Sequence, residues 1–143
     1  MSNTETLDRA ACLALLRTVA LGRVAWTDGT GRVVVEPVNF VLEGDDVVFR
    51  TAEGEKLEAV RRGRSFSFEA DEVEPALRVG WSVLVSGPAE IVSEAEQSRR
   101  SERPLPVPWD QSTPRPYLVR IRAEQVSGRR LRQQPGGVSF VEQ

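Results

Sequence analysis

Histidine is absent from the 143 residues, and cysteine, methionine, tyrosine and lysine each occur once. Without histidine there can be no Ser-His-Asp triad, no Cys-His dyad, no histidine-ligated zinc and no proximal-histidine haem. One thiol, Cys12, excludes an internal disulfide and a thiolate metal cluster, and it suits a reducing cytoplasm. No metal site is therefore expected. No apolar run approaches the roughly 18 residues that span a bilayer. The N-terminal MSNTETLDRA lacks both a basic and an apolar region, so no signal peptide is expected. Nineteen basic residues face 21 acidic ones, and a net charge of −2 gives no reason to expect a nucleic-acid or membrane partner. An enzyme made from this inventory must do its proton work with carboxylates or delegate its chemistry to a cofactor. We assign no catalytic side chain.

What is present reads as one domain, since domains run to roughly 100–200 residues. Cys12, Leu15, Leu16 and Val19 lie on one stripe of a helix over residues 7–19, with Thr6 or Asp8 as its cap and Gly22 breaking it. The period then changes from 3.6 to 2. Strands are expected at 22–27, 32–42 and 46–51, joined by turns rich in glycine and aspartate. Pro37 has no N–H and should sit at an edge, a bulge or a stretch not facing another strand. A short helix over Glu55–Arg62 stops at Gly63, with acids in its first turn and arginines in its last. SFSFEAD (65–71) and GWSVLVSGPAEIV (80–92) are the next strands, and Gly87-Pro88 marks a bulge or bend in the second. Ser93 caps a helix to Arg100, with Glu96 three residues on. Five prolines between 103 and 116 surround Trp109 in an extended loop, YLVRIRAEQV (117–126) is a strand, and 133–143 is a flexible tail. Six strands and three short helices fit a mainly β fold, a small antiparallel barrel over residues 1–132.

Three places can carry chemistry. In FRTAEGEKL (49–57) a strand ends, a glycine turn follows and a helix opens. Arg50, Thr51 and Lys56 there suit a phosphate, or else they are solvated groups around an ordinary turn. Pro37, Val38 and Asn39 form either an edge kink or a strand offering its backbone to a flat ligand. Trp81, Ser82 and Val83 open a long strand, with Trp81 in the core or at a subunit interface. Trp26 and Cys12 read as packing residues, and Trp109 as a lid over a site or a plug for the core. Charge is uneven: residues 36–74 hold 11 acids and 5 bases, and residues 99–132 hold 9 arginines and 3 acids. Nucleic-acid binding by the basic half is one reading, but only Trp109 and Tyr117 interleave it. Self-complementary pairing of two copies is the favoured one.

In this order, GRVAWT, PVNFVLEGDDVVFRTAEGEK (37–56), FSFEAD, GWSVLVSGPAEIV and YLVRIRAEQVSGRR (117–130) resemble the flavin-binding split-barrel superfamily. That group includes pyridoxamine 5'-phosphate oxidase and nitroimidazole-reductase-like proteins. The resemblance implies a six-stranded split barrel and a homodimer with FMN in clefts at its interface. It also implies that Arg50, Thr51 and Lys56 bind the phosphate and ribityl chain, and that Pro37–Asn39 and Trp81–Val83 line the flavin ring. Glu55 stands where relatives often have a hydroxyl or second base before the lysine. The oxidase's C-terminal Arg–His pair is missing, so pyridoxamine phosphate oxidation is not expected. The expectation is a cytoplasmic FMN-dependent oxidoreductase or reductase of a small molecule, with Trp109 on the substrate side. The alternatives are a deazaflavin-dependent reductase on the same fold, or a flavin or tetrapyrrole carrier that is not an enzyme.

Overall fold

Short alternating runs joined by tight turns must fold as antiparallel neighbours, because each brief connection returns the chain beside itself. The computed structural model describes residues 4–99 and 115–132. Strand β1 (Thr4–Leu7) precedes helix α1 (Arg9–Leu16), and β2 (Leu21–Thr27), β3 (Val33–Glu43) and β4 (Asp46–Thr51) follow as a meander. Helix α2 (Glu55–Arg61) leads into the β5 (Ser65–Glu74) and β6 (Val79–Ile91) hairpin. Helix α3 (Glu94–Arg99), β7 (Tyr117–Ile121) and β8 (Gln125–Leu131) complete the order. Six strands close an antiparallel barrel in the order β6-β5-β2-β3-β4-β7, with β7 pairing back onto β6. Strands β8 and β1 extend the sheet outward from β6. No helix among the described residues is long and apolar enough to cross a membrane.

Two strands are long because each serves more than one neighbour. Strand β3 pairs with β2 from Val33 to Asn39 and with β4 only from Phe40 to Glu43. Beyond Phe40 and Phe49 these two strands part, and the end of β4 pairs with β7 alone. Pro37 lies in the parted stretch, where no strand pairs with the second edge of β3 among the described residues. Strand β6 pairs with β8 from Gly80 to Ser86 and with β7 from Ala89 to Ile91.

The irregularity expected at Gly87-Pro88 is present, but the extra residue belongs to the facing chain. Four steps from Ile121 to Gln125 oppose three from Ser86 to Ala89, which is a β-bulge. The single strand expected over 117–126 is therefore two. A Cβ on Gly87 would stand 1.9 Å from the Arg122 carbonyl oxygen, so only glycine admits this crossing. The Arg122 N–H donates to the Pro88 carbonyl at 2.9 Å, and Asp46 Oδ1 accepts from the Ala123 N–H at 3.0 Å.

Other boundaries also move. Asp8 caps α1, its carboxylate accepting from the Ala11 N–H at 2.8 Å, and the helix ends at Leu16 rather than Val19. Residues 4–7, polar except for Leu7, become β1 because the edge of β8 needs a partner. Gly22 lies within β2, where a Cβ would meet the Phe68 ring at 2.3 Å.

The core holds Val24, Phe40, Phe49, Phe68, Val85 and Ile121, with Phe40 edge-on to Phe68 at 4.6 Å. Trp26 stacks on Phe66 at 5.5 Å, and Cys12 of α1 is fully buried, so both are packing residues. Arg120 of β7 is buried too, its Nη1 donating to Glu96 Oε1 of α3 at 2.7 Å. Arg122 and Arg132 also pair within the chain, with Asp46 and Glu5. Part of the basic segment is thus matched by acids of the same molecule.

Gly87→Ala should destabilise the fold by about 1–3 kcal/mol, the usual cost of forcing extra volume into a packed site. Urea unfolding checks this, and an unchanged midpoint would remove Gly87 from the closure of the barrel.

Candidate cofactor site

The opening between β3 and β4 is where a ligand can meet the backbone of this barrel. On β3, Val38 faces the core, Pro37 is exposed, and Asn39 is half-buried with its Nδ2 donating to the Ala20 carbonyl at 3.4 Å. On β4, alternation sends Phe49 and Thr51 to one side and Val48 and Arg50 to the other. Val48 belongs to a separate small cluster with Leu118 and Val92. Arg50 therefore does not share a face with Thr51, and it forms no ion pair among the described residues. Thr51 is buried, and its hydroxyl donates to the Ala52 carbonyl at 3.2 Å.

Lys56 joins Thr51 on the inner side. From the first turn of α2 its Nζ lies 5.8 Å from the centroid of the Phe49 ring and 3.0 Å from Glu36 Oε2 on β3. The lysine side chain is only 14% exposed. It thus bridges the two parted strands. A buried hydroxyl at the strand's end and an ammonium in the first turn of the following helix are donors that fit a phosphate.

Trp81 and Val83 are buried on one face of β6, and Ser82 points the other way. Trp81 lines a groove of about 590 Å³ with Val73, Val79, Leu131 and the arginines Arg130 and Arg132. Ser82 and Val83 line a second groove of about 430 Å³ with Glu69, Leu84 and Arg129. The register places β5 and β2 between β6 and β3. At the usual strand spacing, three steps separate Pro37–Asn39 from Trp81–Val83 by about 14 Å along the sheet. Within one chain the structure does not bring these two sets together. Trp109 and its proline-rich loop up to residue 114, like the 133–143 tail, lie outside the described residues.

Two clusters escaped the sequence reading. Glu53 accepts two hydrogen bonds from Arg61, at 2.9 and 3.0 Å, and one from the Tyr117 hydroxyl at 2.7 Å. The Arg61 guanidinium also lies 5.5 Å from the centroid of the Tyr117 ring. Glu53 thereby ties the turn between Thr51 and Lys56 to both α2 and β7. The Arg61 and then the Tyr117 hydrogen bonds hold its carboxyl down at about 2, and the same contact raises Tyr117. Nothing local in the sequence marks a pairing across 64 positions.

The second cluster sits on the outer sheet face, where Arg23 lies 3.4 Å from Glu69 and 3.8 Å from Asp71. Burial, then the hydrogen bond and charge of Asp71, push Glu69 up to about 7 against the opposing pull of Arg23. Its signal was available: in SFSFEAD the face opposite Phe66 and Phe68 carries two acids two residues apart. Exposed Val33, Val35 and Leu84 share that outer face.

A closed six-stranded barrel whose meander parts beside a strand–helix junction defines a split-barrel protein. The family model described as pyridoxamine 5'-phosphate oxidase matches residues 8–130. An uncharacterized protein of Mycobacterium tuberculosis is 35% identical over 130 residues, covering 87% of this chain and 84% of that one. The solved structure of the FAD binding protein from Mycobacterium smegmatis is 33% identical, with a TM-score of 0.68, covering 90% of this chain and 99% of that one. A conserved protein of unknown function from Corynebacterium diphtheriae is 31% identical, with a TM-score of 0.72, covering 91% and 99%. The chain belongs to the pyridoxamine 5'-phosphate oxidase family.

Two pH responses follow from the clusters. Glu53 lies below its ordinary value of 4.5 when folded, so its contribution is present above 4.5 and lost as pH falls toward about 2. Thermal melts from pH 5 to 2 should be less pH-dependent in Glu53→Gln, and identical slopes would exclude the clamp. Glu69 behaves oppositely. The folded chain keeps a proton that the unfolded chain releases near 4.5, so stability falls as pH rises from 4.5 to about 7. Glu69→Gln should flatten that decline, and an undiminished decline would acquit Glu69.

Proposed function

We propose that this chain is a flavin-dependent oxidoreductase of a small molecule, working as a cytoplasmic homodimer with FMN in a cleft shared between subunits. The observation that carries this reading is the Lys56 ammonium at the β4–α2 junction, on the Phe49 and Thr51 side of β4 and next to an unpaired edge of β3. A phosphate fits the hydroxyl and ammonium, and the Glu53–Arg61–Tyr117 clamp keeps the intervening turn in place. The unpaired edge of β3 at Pro37 and Asn39 offers backbone groups to the polar rim of a flat ring, Pro37 its carbonyl alone, while Val38 directs its own toward β2. When bound, a flavin supplies hydride or electron transfer at its ring. The protein positions the ring, excludes water from it and orients a substrate on its open face. Trp109 is a substrate-side residue in this scheme.

Spacing supports the shared cleft. Pro37–Asn39 and Trp81–Val83 lie on strands three steps apart within a chain, and two copies could bring one set from each onto a single flavin. The exposed Val33, Val35 and Leu84 supply apolar surface for that association. Flavin binding is further supported by the M. smegmatis neighbour, which is described as an FAD binding protein. Oxidation of pyridoxamine phosphate is not proposed, because the chain has no histidine to complete the Arg–His pair.

The test is the absorption spectrum of the purified protein and the mass of any ligand released on denaturation, followed by titration with FMN. Lys56→Ala should weaken FMN binding by about 1–3 kcal/mol, in the range of a charge-assisted hydrogen bond. An unchanged dissociation constant would sink the phosphate assignment. Binding of a deazaflavin alone would favour the reductase alternative.

A further inference from the structure

At the phosphate end of the site, the cation chosen to hold a ligand is already matched by an acid. Lys56 is the only lysine in the chain. Its Nζ lies 3.0 Å from Glu36 Oε2, and Glu36 is a β3 residue whose side chain is 44% exposed. The other cations of α2 and its C-cap are matched as well: Arg61 binds Glu53 at 2.9 Å and Arg62 binds Glu58 at 2.9 Å. Arg50, which forms no ion pair among the described residues, lies on the opposite face of β4. Glu55 stands next to Lys56 and has no such partner among the described residues. The face that holds Thr51 and Lys56 therefore carries no excess positive charge.

A phosphate monoester approaches two negative charges at neutral pH, whereas each phosphate of a dinucleotide bears one and riboflavin bears none. A lysine shared with a carboxylate discriminates poorly in favour of the dianion, because every gain from Lys56 is opposed by repulsion from Glu36. We propose that Glu36 is a specificity-determining residue of this site, reducing the advantage that a terminal phosphate monoester gives FMN over FAD and riboflavin. It does so by neutralising Lys56 across the gap between β3 and α2. The inference rests on the flavin reading above and assigns a role to a residue outside the expected binding set.

The experiment is titration of the full chain with FMN, FAD and riboflavin, followed by flavin fluorescence, for the wild type, Glu36→Gln, Glu36→Ala and Glu55→Gln. Both Glu36 variants should tighten FMN about tenfold, the scale of one charge-assisted hydrogen bond. Riboflavin should change by less than about twofold, as expected where no phosphate charge is present. Glu55→Gln should leave the FMN-to-riboflavin ratio near that of the wild type. Unchanged FMN affinity in folded Glu36 variants overturns the proposal, and so does equal tightening of riboflavin. An equal shift in Glu55→Gln overturns it as well, by showing a general charge effect instead of one pair. Absence of saturable flavin binding in every protein, wild type included, overturns the functional reading and this inference with it.

Discussion

Closure of the barrel rests on a close approach of two backbones, where the Arg122 carbonyl lies against Gly87. Here β6 exchanges β8 for β7 as its neighbour, and one extra residue in the facing chain turns the sheet. The Arg122–Pro88 hydrogen bond and the Asp46 clamp on Ala123 hold that turn. With this corner formed, β7 can reach β4, and the end of β4 is drawn away from β3. The opening beside the β4–α2 junction is a consequence of how the far side of the barrel closes.

The opening is then furnished by electrostatics. Lys56 spans it to Glu36, and Glu53 fastens the adjoining turn through Arg61 and Tyr117. Each cation of α2 thus has an anion close by. The more exposed of these pairs, such as Arg61–Glu53, contribute little to stability, commonly about 0–1 kcal/mol. Their weight is greater in what they do to an incoming anion, since a lysine already shared with a carboxylate attracts it less than a free one would. In the proposed function, chemistry at such a site would belong to the bound flavin, in keeping with a chain that has no histidine and one buried thiol.

The outer face of the sheet is the other feature to be explained by function. Val33, Val35 and Leu84 are exposed beside an Arg23–Glu69–Asp71 cluster whose central carboxyl is raised by burial and by its acidic neighbour. Apolar residues interleaved with a titratable cluster suit a surface that is covered by another copy. In the proposed dimer, that contact would bring β3 of one molecule to β6 of the next.

Most of the barrel was legible in the sequence because its signals are local. All six barrel strands announced themselves by alternation and by turns such as Asp28-Gly29 and Glu43-Gly44. The capped α1 and the glycine-stopped α2 did so by their end residues. The candidate site was half legible: the Thr51–Lys56 spacing showed a strand–helix junction, and Pro37 showed a strand with a free edge. What no local pattern encodes is pairing between distant segments. Strand β1 exists because β8 has an edge to fill, residues 117–126 divide because Gly87 lies opposite, and Arg50 turns away because alternation in β4 puts Thr51 inside. The partner of Lys56 lies 20 positions earlier, on β3. Composition and periodicity set the elements and the classes of chemistry open to them. Tertiary contact alone decided which charges meet, since that depends on where the closed sheet brings the strands.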